Sequence, residues 1–191
     1  MALPKALRSS LTPQEIEFIA ENQQITIVPT RAINDKFELL SGEFGPFRPP
    51  LKSKVPLWLA LLLKRKGKCT IVPPVWLDAE YLEAKLEEER ASAGFTEMPF
   101  MWLETANLLV KDAQDDIPHY EQVRNYIKGI KECRGNKAVA GLKFITIDLF
   151  SQGFLNLDNL GLMEVNEIKP FFAKAFDEMG KFSGALATDK Q

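Results

Sequence analysis

The sequence has few of the residues on which catalytic and metal sites depend. Its 191 residues include two cysteines and one histidine. Cys69 and Cys133 stand far apart and outside any CxxC pair, so the pattern predicts neither a disulfide framework nor a zinc site and favours a reducing compartment. A catalytic triad would have to use His119 as its base. Because His119 follows Pro118 where a helix is predicted to begin, we expect a solvated or capping histidine instead.

Phosphate-binding loops and membrane segments are also missing. The sequence contains neither GxxxxGK[ST] nor GxGxxG, and the glycines at Gly42 and Gly45 precede prolines rather than a helix, which indicates a tight loop. The longest apolar run, Val55–Leu63, is nine residues long, whereas a membrane-spanning helix needs roughly 20. The first residues lack the apolar core of a signal peptide. These patterns predict no cofactor, no bound metal, no catalytic residue and no membrane association.

The charge balance argues against a dedicated nucleic-acid binder. The formal net charge is -2 and the isoelectric point is about 5.6, whereas such proteins usually carry a strongly basic face. Arg124, Lys128 and Lys131 share one face of a predicted helix. Arg134 and Lys137 follow on the same helix but lie progressively away from that face. This face could contact phosphates, remain solvated, or form ion pairs at an interface. We expect direct DNA contact to be weak or absent.

Two further charged groups each allow a structural and a functional interpretation. Asp115 and Asp116 could bind a metal or act as acid and base, but no histidine or cysteine cluster accompanies them. A turn that caps the next helix is favoured. The basic string Lys64–Lys68, which contains Gly67, suits the C-terminus of a helix, with contact to a partner as the second interpretation.

The first part of the chain reads as a small α+β unit. Thr12-Pro13-Gln14-Glu15 matches a helix start with a capping box. The β-branched and apolar patterns predict strands at Ile25–Val28, Lys36–Leu40 and Thr70–Val72, and a helix over Val55–Lys66. From Val55 to Leu63 this helix has no polar face, so both of its sides must be covered, by the chain or by a partner.

After Pro73-Pro74 the sequence reads as helix. Helices are predicted from Asp78 to about Arg90, from Phe100 to Ala113, from His119 towards Phe150, and over Asp158–Lys181 with a division at Pro170. The fold class is therefore mainly α, a small N-terminal α+β (β-rich) domain followed by a larger all-helical domain. The predicted divisions are a small domain over 1–74, a helical domain over 75–183, and a flexible tail over 184–191.

Several strings in this order resemble one family. They are EIEFIAENQQITIVP, GEFGPF, VPLWLALLLKRKGKCTIVPPVWLD, FTEMPFMWLETANLLVKDAQDDIP and LDNLGLMEVNEIKPF. Together they resemble the second Psf-type ("partner of Sld five, two") subunits of the GINS complex, a eukaryotic DNA replication factor. The resemblance extends from about Leu11 to Phe182, and the string beginning VPLWLA is its most specific part.

The resemblance implies a non-catalytic structural subunit in the nucleus. GINS is a heterotetramer of four related subunits that joins the Mcm helicase ring and a third factor to form the active replicative helicase. It also helps to connect that helicase to the leading-strand DNA polymerase. The alternative is a helical adaptor subunit of another nuclear multiprotein complex, and an enzyme is the third and least favoured interpretation.

The resemblance also implies a set of apolar packing and interface residues. Four of them would hold the small domain to the helical domain: Pro56, Leu57, Trp58 and Leu59. The others would be buried in the helical domain or in its contacts with sister subunits: Trp76, Leu77, Phe100, Trp102, Leu160, Met163, Ile168 and Phe171.

Overall fold

A computed structural model describes residues 10–142 and 158–174 of the chain. The first helix, α1, covers Pro13–Ala20 and begins with the predicted capping box. The Thr12 side chain accepts a hydrogen bond from the Glu15 main-chain N–H, and the Glu15 carboxylate accepts one from the Thr12 N–H at 2.7 Å. The helix start is therefore fixed by two reciprocal hydrogen bonds, as the sequence predicts.

A three-stranded antiparallel sheet follows, with β1 (Gln24–Pro29) at its centre. Strand β4 (Ser53–Pro56) pairs with one side of β1, and β5 (Cys69–Val72) pairs with the other. Between β1 and β4 lies a separate hairpin of β2 (Phe37–Leu39) and β3 (Gly42–Phe44). The apolar residues of the sheet alternate along each strand, so one face of the sheet is buried: Ile25, Ile27, Val55 and Ile71.

The apolar helix α2 covers Leu57–Arg65, so the predicted start at Val55 is wrong. Val55 is β-branched and pairs with Ile25 in the sheet, and the Leu57 N–H donates to the Gln23 carbonyl at 2.8 Å. Sheet pairing therefore takes the first two residues of the apolar run, where sequence periodicity alone could not separate strand from helix.

The end of α2 confirms the capping interpretation of its basic string. Gly67 has a φ of +63°, the left-handed conformation that glycine adopts without strain. Its N–H donates to the Lys64 carbonyl at 2.8 Å, and the Lys68 N–H donates to the Leu63 carbonyl at 2.9 Å. This pair of hydrogen bonds is the Schellman arrangement, which satisfies carbonyls that the helix end would leave free.

The remaining described chain is helical apart from short turns. A 3-10 turn over Val75–Leu77 leads into α3 (Ala79–Ala91), which Asp78 caps, and α4 covers Trp102–Asp112. A second 3-10 turn, Gln114–Asp116, precedes α5 (Tyr120–Leu142), and α6 covers 162–174. These elements confirm the predicted fold class. The predicted extensions to Phe150 and Lys181 and the tail at 184–191 lie outside the described residues.

Pro170 does not divide the last helix, contrary to the sequence prediction. Residues on both sides of Pro170 are helical, within the range 162–174. Proline removes one N–H donor and crowds the preceding turn, but its fixed φ is compatible with a helix. A further link joins this helix to the start of the described chain, because the Asn166 side-chain amide exchanges two hydrogen bonds with the main chain of Leu11, at 2.7 and 2.9 Å.

One hydrophobic core extends through the sheet, α2 and the helical bundle. It includes Ile27 of the sheet, Leu59 of α2 and Leu82 of α3. The predicted domain boundary after residue 74 falls between β5 and the first 3-10 turn, within the span of this shared core, and it stays a prediction. Among the described helices none is long and apolar enough to cross a membrane.

Candidate assembly surfaces

Helix α2 joins the sheet to the helical region through apolar contacts. Leu57, Leu59 and Leu61 are at most 4% exposed, whereas Leu62, on another side of the helix, is 42% exposed. The same joint carries one polar link between the regions, since the Thr105 hydroxyl of α4 donates to the Gln23 side chain at 2.9 Å. The chain itself therefore supplies most of the cover that an all-apolar helix requires.

Two ion pairs close the end of this joint. Lys64 lies 2.7 Å from the Asp116 carboxylate, and Arg65 lies 2.7 Å from the Asp112 carboxylate. The second oxygen of Asp116 accepts the Ile71 main-chain N–H at 2.8 Å, at the edge strand of the sheet. Asp116 therefore links α2, β5 and the helical region, and the prediction that it caps the next helix is wrong.

The thiol of Cys69 lies inside this joint. Burial, followed by the nearby charge of Asp116, raises the pKa of Cys69 to about 11. The group therefore stays protonated at neutral pH and behaves as a small apolar side chain.

A second joint holds α6 to the bundle through a buried guanidinium. Arg134 of α5 is 1% exposed, and it donates to the Glu164 carboxylate through Nε at 2.6 Å and through Nη2 at 2.9 Å. Its Nη1 donates to Glu89 of α3, which is 0% exposed, at 3.1 Å. One side chain thus connects three helices, with a bidentate arrangement towards α6.

Glu89 has enough donors to remain ionised inside the protein. Lys137 donates to its Oε1 at 2.7 Å, and the Thr96 hydroxyl and main-chain N–H donate to its Oε2 at 2.6 and 3.0 Å. Burial alone would raise the pKa of Glu89, but hydrogen bonds from Lys137 and Thr96 and the charge of Arg134 hold the pKa below its usual value. For the basic residues of α5, the sequence left phosphate contact, solvation and interface ion pairs open. In the structure, Arg134 and Lys137 form ion pairs with carboxylates of the same chain.

A different buried carboxylate, Glu104 of α4, lies at the start of α6. It is 3% exposed, and its Oε1 accepts the Met163 main-chain N–H at 2.9 Å. Within the part of the chain that the structure describes, its Oε2 has no hydrogen-bond partner. Burial therefore raises the pKa of Glu104.

An apolar groove lies beside the Arg134 joint, between α5 and α6. Its volume is about 260 Å³, and Leu103 and Leu160 form part of its lining. Two of its apolar side chains remain largely exposed, Val139 at 58% and Phe171 at 50%. Large apolar side chains around a groove mark the kind of surface that partner chains bury.

The structure separates the twelve predicted packing and interface residues into three groups. Phe100 and Phe171 are exposed, at 53% and 50%. Trp58, whose ring meets Phe44 edge-on at 6.3 Å, is partly buried with three others: Trp76, Met163 and Ile168. The remaining six are buried within the chain: Pro56, Leu57, Leu59, Leu77, Trp102 and Leu160. Their contribution to subunit contacts stays a prediction.

The described residues contain no group of three or more potential metal ligands of the histidine, cysteine and carboxylate types. His119 is exposed and has a φ of +52°, and its main-chain carbonyl accepts the Gln122 and Val123 N–H groups at the start of α5. Its main chain therefore takes part in the helix start, as the capping alternative expects.

Comparison with known proteins identifies relatives over nearly the whole chain. Residues 12–72 match the family model described as the PSF2 N-terminal domain, and residues 76–182 match the GINS complex protein helical bundle domain. The DNA replication complex GINS protein psf2 of Schizosaccharomyces pombe is 44% identical over 95% of this chain and 96% of its own length. The PSF2 proteins of Xenopus laevis and Homo sapiens are 40% and 39% identical, over 93% and 87% of this chain and 95% and 89% of their own lengths.

Proposed function

The chain belongs to the PSF2 family of GINS complex subunits, and we propose that it is the corresponding non-catalytic subunit of a nuclear GINS heterotetramer. In this role it binds three sister subunits. Through that tetramer it joins the Mcm ring and a third factor in the active replicative helicase, and it reaches the leading-strand polymerase indirectly. The match of both family domains across nearly the whole chain is the observation that carries this proposal.

The use of the charged residues supports a structural role. The buried Glu89 and the partly buried Glu164 form ion pairs with Arg134, and Asp112 and Asp116 form ion pairs with the end of α2. Active sites depend on titratable groups that can exchange protons or bind substrate. Here the same groups hold helices together, which is the chemistry of a scaffold.

The groove between α5 and α6 is the surface that we assign to a sister subunit. Its polar rim and half-exposed Phe171 resemble the mixture of apolar centre and polar edge in subunit interfaces. The other predicted residue with an exposed ring, Phe100, lies just before α4, and the Phe100 carbonyl accepts the first N–H of α6 at 2.8 Å. Phe100 therefore lies at the N-terminal end of α6, whereas Phe171 lies within the helix.

Co-expression with the three sister subunits tests the proposal. We expect a particle whose mass by light scattering equals one copy of each chain. The double variant Val139→Glu/Phe171→Glu places charge in the groove, so it should abolish co-purification while leaving the helical content of the chain unchanged. The control Leu40→Glu/Leu51→Glu changes two other exposed apolar residues, 112% and 63% exposed, and it should assemble normally.

Two results would contradict these assignments. A stable monomer with a cooperative melt and no affinity for the sister subunits would exclude the assembly role and favour an adaptor in another complex. Normal assembly of the groove variant would leave the family role intact and would show that the groove is not a subunit contact.

A further inference from the structure

Charge is distributed very unevenly along this chain. Residues 31–68 contain nine lysines and arginines and three carboxylates, whereas the rest of the chain contains 15 basic and 23 acidic residues. The small negative net charge therefore conceals a basic region and an acidic remainder. Local charge, rather than the total, decides what a surface attracts within a Debye length of about 10 Å.

The sheet register brings the basic residues together. Strand β1 ends at Pro29, which pairs with Cys69 at the start of β5, while Ser53 at the start of β4 pairs with Ile27. The end of one strand and the starts of its two neighbours therefore lie at the same end of the sheet. Lys52 and Lys68 immediately precede the two outer strands, so both lie at this end.

Two loops add three more cations to this end. The Thr30 N–H donates to the Lys68 carbonyl at 2.9 Å, which holds Arg31 beside Lys68. Ile33 and Phe47 exchange two main-chain hydrogen bonds, which place Arg48 next to the same loop. Lys66 lies in the turn after α2. The basic end is thus defined by five exposed residues: Arg31, Arg48, Lys52, Lys66 and Lys68.

Three residues of the basic end, Arg31, Lys66 and Lys68, line a concavity of about 700 Å³ together with one carboxylate, Asp35. Lys64 and Arg65, in the last turn of α2, form ion pairs with Asp116 and Asp112. By contrast, no ion pair among the described residues involves the five cations of the basic end.

We propose that the basic end binds an acidic segment of a partner protein. The concavity lies between the loop that follows β1 and the turn that precedes β5, and a volume of this size suits a few residues of an extended peptide. The last turn of α2, next to the concavity, already binds protein carboxylates through Lys64 and Arg65. This interaction goes beyond the assembly role, because it lies on the sheet and not on the groove between α5 and α6.

An acidic peptide fits this surface better than nucleic acid. A nucleic-acid duplex extends well beyond one concavity and would bring its phosphates near the acidic remainder of the chain. Single-stranded nucleic acid is typically bound by exposed aromatic rings beside the cations. Here Phe47 is 2% exposed, and Phe37, whose ring lies 6.5 Å from it, is partly buried. A short acidic segment meets only the local positive field.

Binding of a labelled peptide of about ten glutamates tests the proposal, measured by fluorescence anisotropy at about 0.05 and about 0.3 M salt. The protein is the full chain purified with its sister subunits. We expect wild-type binding that weakens with salt. The variant Arg31→Glu/Lys66→Glu/Lys68→Glu should bind at least about tenfold more weakly.

The control Arg124→Glu/Lys128→Glu/Lys169→Glu makes the same change in net charge on helices α5 and α6, and it should retain wild-type affinity for the peptide. Thermal unfolding checks that both variants are folded, and Lys66→Ala/Lys68→Ala serves as a milder variant with a smaller loss. Equal losses in both triple variants, no binding by the wild type, or preference for a duplex oligonucleotide over the peptide would each overturn the proposal.

Discussion

The two joints of the molecule are built in opposite ways. At α2, leucine side chains fill the centre of the contact, and the ion pairs of Lys64 and Arg65 lie at its end. At α6, the Arg134 guanidinium and its two glutamates lie at the centre, and apolar side chains remain exposed beside them in the groove. One joint is apolar inside and charged at its edge, and the other has the reverse arrangement.

The difference indicates what each joint provides. Burial of apolar area supplies stability without directional requirements, so the α2 joint can hold the sheet to the bundle within one chain. A buried ion pair adds little net stability over an apolar equivalent, but it penalises any other arrangement of its partners. The α6 joint therefore fixes the position of a helix whose apolar side chains remain available to another chain.

Removal of the central charge should break the α6 joint. Arg134→Ala leaves Glu164 without its cation and leaves the buried Glu89 with Lys137 alone, so we expect a loss of about 3–5 kcal/mol in the free energy of unfolding. Chemical denaturation measures this loss. Arg124→Ala, an exposed arginine on the same helix, should change the free energy by no more than about 0.5 kcal/mol. Equal effects would show that the Arg134 network contributes no more than a surface charge.

The polar edge of the α2 joint should contribute less. Asp116→Ala removes the partner of Lys64 and leaves the Ile71 N–H without its acceptor, so we expect a loss of about 1–3 kcal/mol. The neighbouring Asp115 is exposed, and Asp115→Ala should be close to neutral. Should the Asp116 variant destabilise the chain more than Arg134→Ala does, the proposed ranking of the two joints is wrong.

Gly67, at the end of α2, and Gly135, within α5, allow a matched comparison of two alanine substitutions. A Cβ atom at either Gly67 or Gly135 would meet nothing within 4 Å, so backbone conformation alone distinguishes them. Gly67→Ala forces alanine into a left-handed conformation and should cost about 1–2 kcal/mol. Gly135→Ala should instead gain up to about 1 kcal/mol in the helix interior. Melting curves of the two variants should shift in opposite directions.

The smallest expected effect depends on pH. Because burial raises the pKa of Glu104, its folded form holds a proton more tightly than its unfolded form, so its ionisation lowers stability as the pH rises through that raised pKa. Glu104→Gln should therefore melt slightly higher than the wild type at neutral pH. The difference should vanish below about pH 4, where the carboxyl of an unfolded chain is protonated. A constant difference at all pH values would show that charge is not its cause.

The sequence predicts correctly those helix ends that are determined by neighbouring residues. The capping box at Thr12 and Glu15 and the glycine end of α2 both depend on residues within a few positions of each other. The start of α2 was predicted wrongly because its cause is distant: Val55 is a strand residue only through its pairing with Ile25. The partnership of Lys64 with Asp116, 52 positions along the chain, has no local signal either.

The Arg134 network did leave a trace in the sequence. Leu82, Leu86 and Glu89 follow one another at spacings of four and three, which places Glu89 on the buried face of α3. Ile127, Ile130 and Arg134 follow one another on α5 at spacings of three and four, which places Arg134 on the buried face of that helix. Each helix therefore carries a charged residue at the spacing of its buried apolar residues, and the two charges, Glu89 and Arg134, have opposite sign. This pattern could have predicted a buried ion pair. Which acid meets which base still required the fold.

The side chain of Asn166 has a consequence for the order in which the chain is completed. Its amide holds the main chain of Leu11 from both directions, across 155 positions of sequence. A nascent chain leaves the ribosome with its N-terminus first, so Leu11 emerges long before its partner has been synthesised. Until α6 has been synthesised, the segment that leads into α1 lacks these two hydrogen bonds. The part of the chain that is made first is therefore among the last to be fixed in the fold.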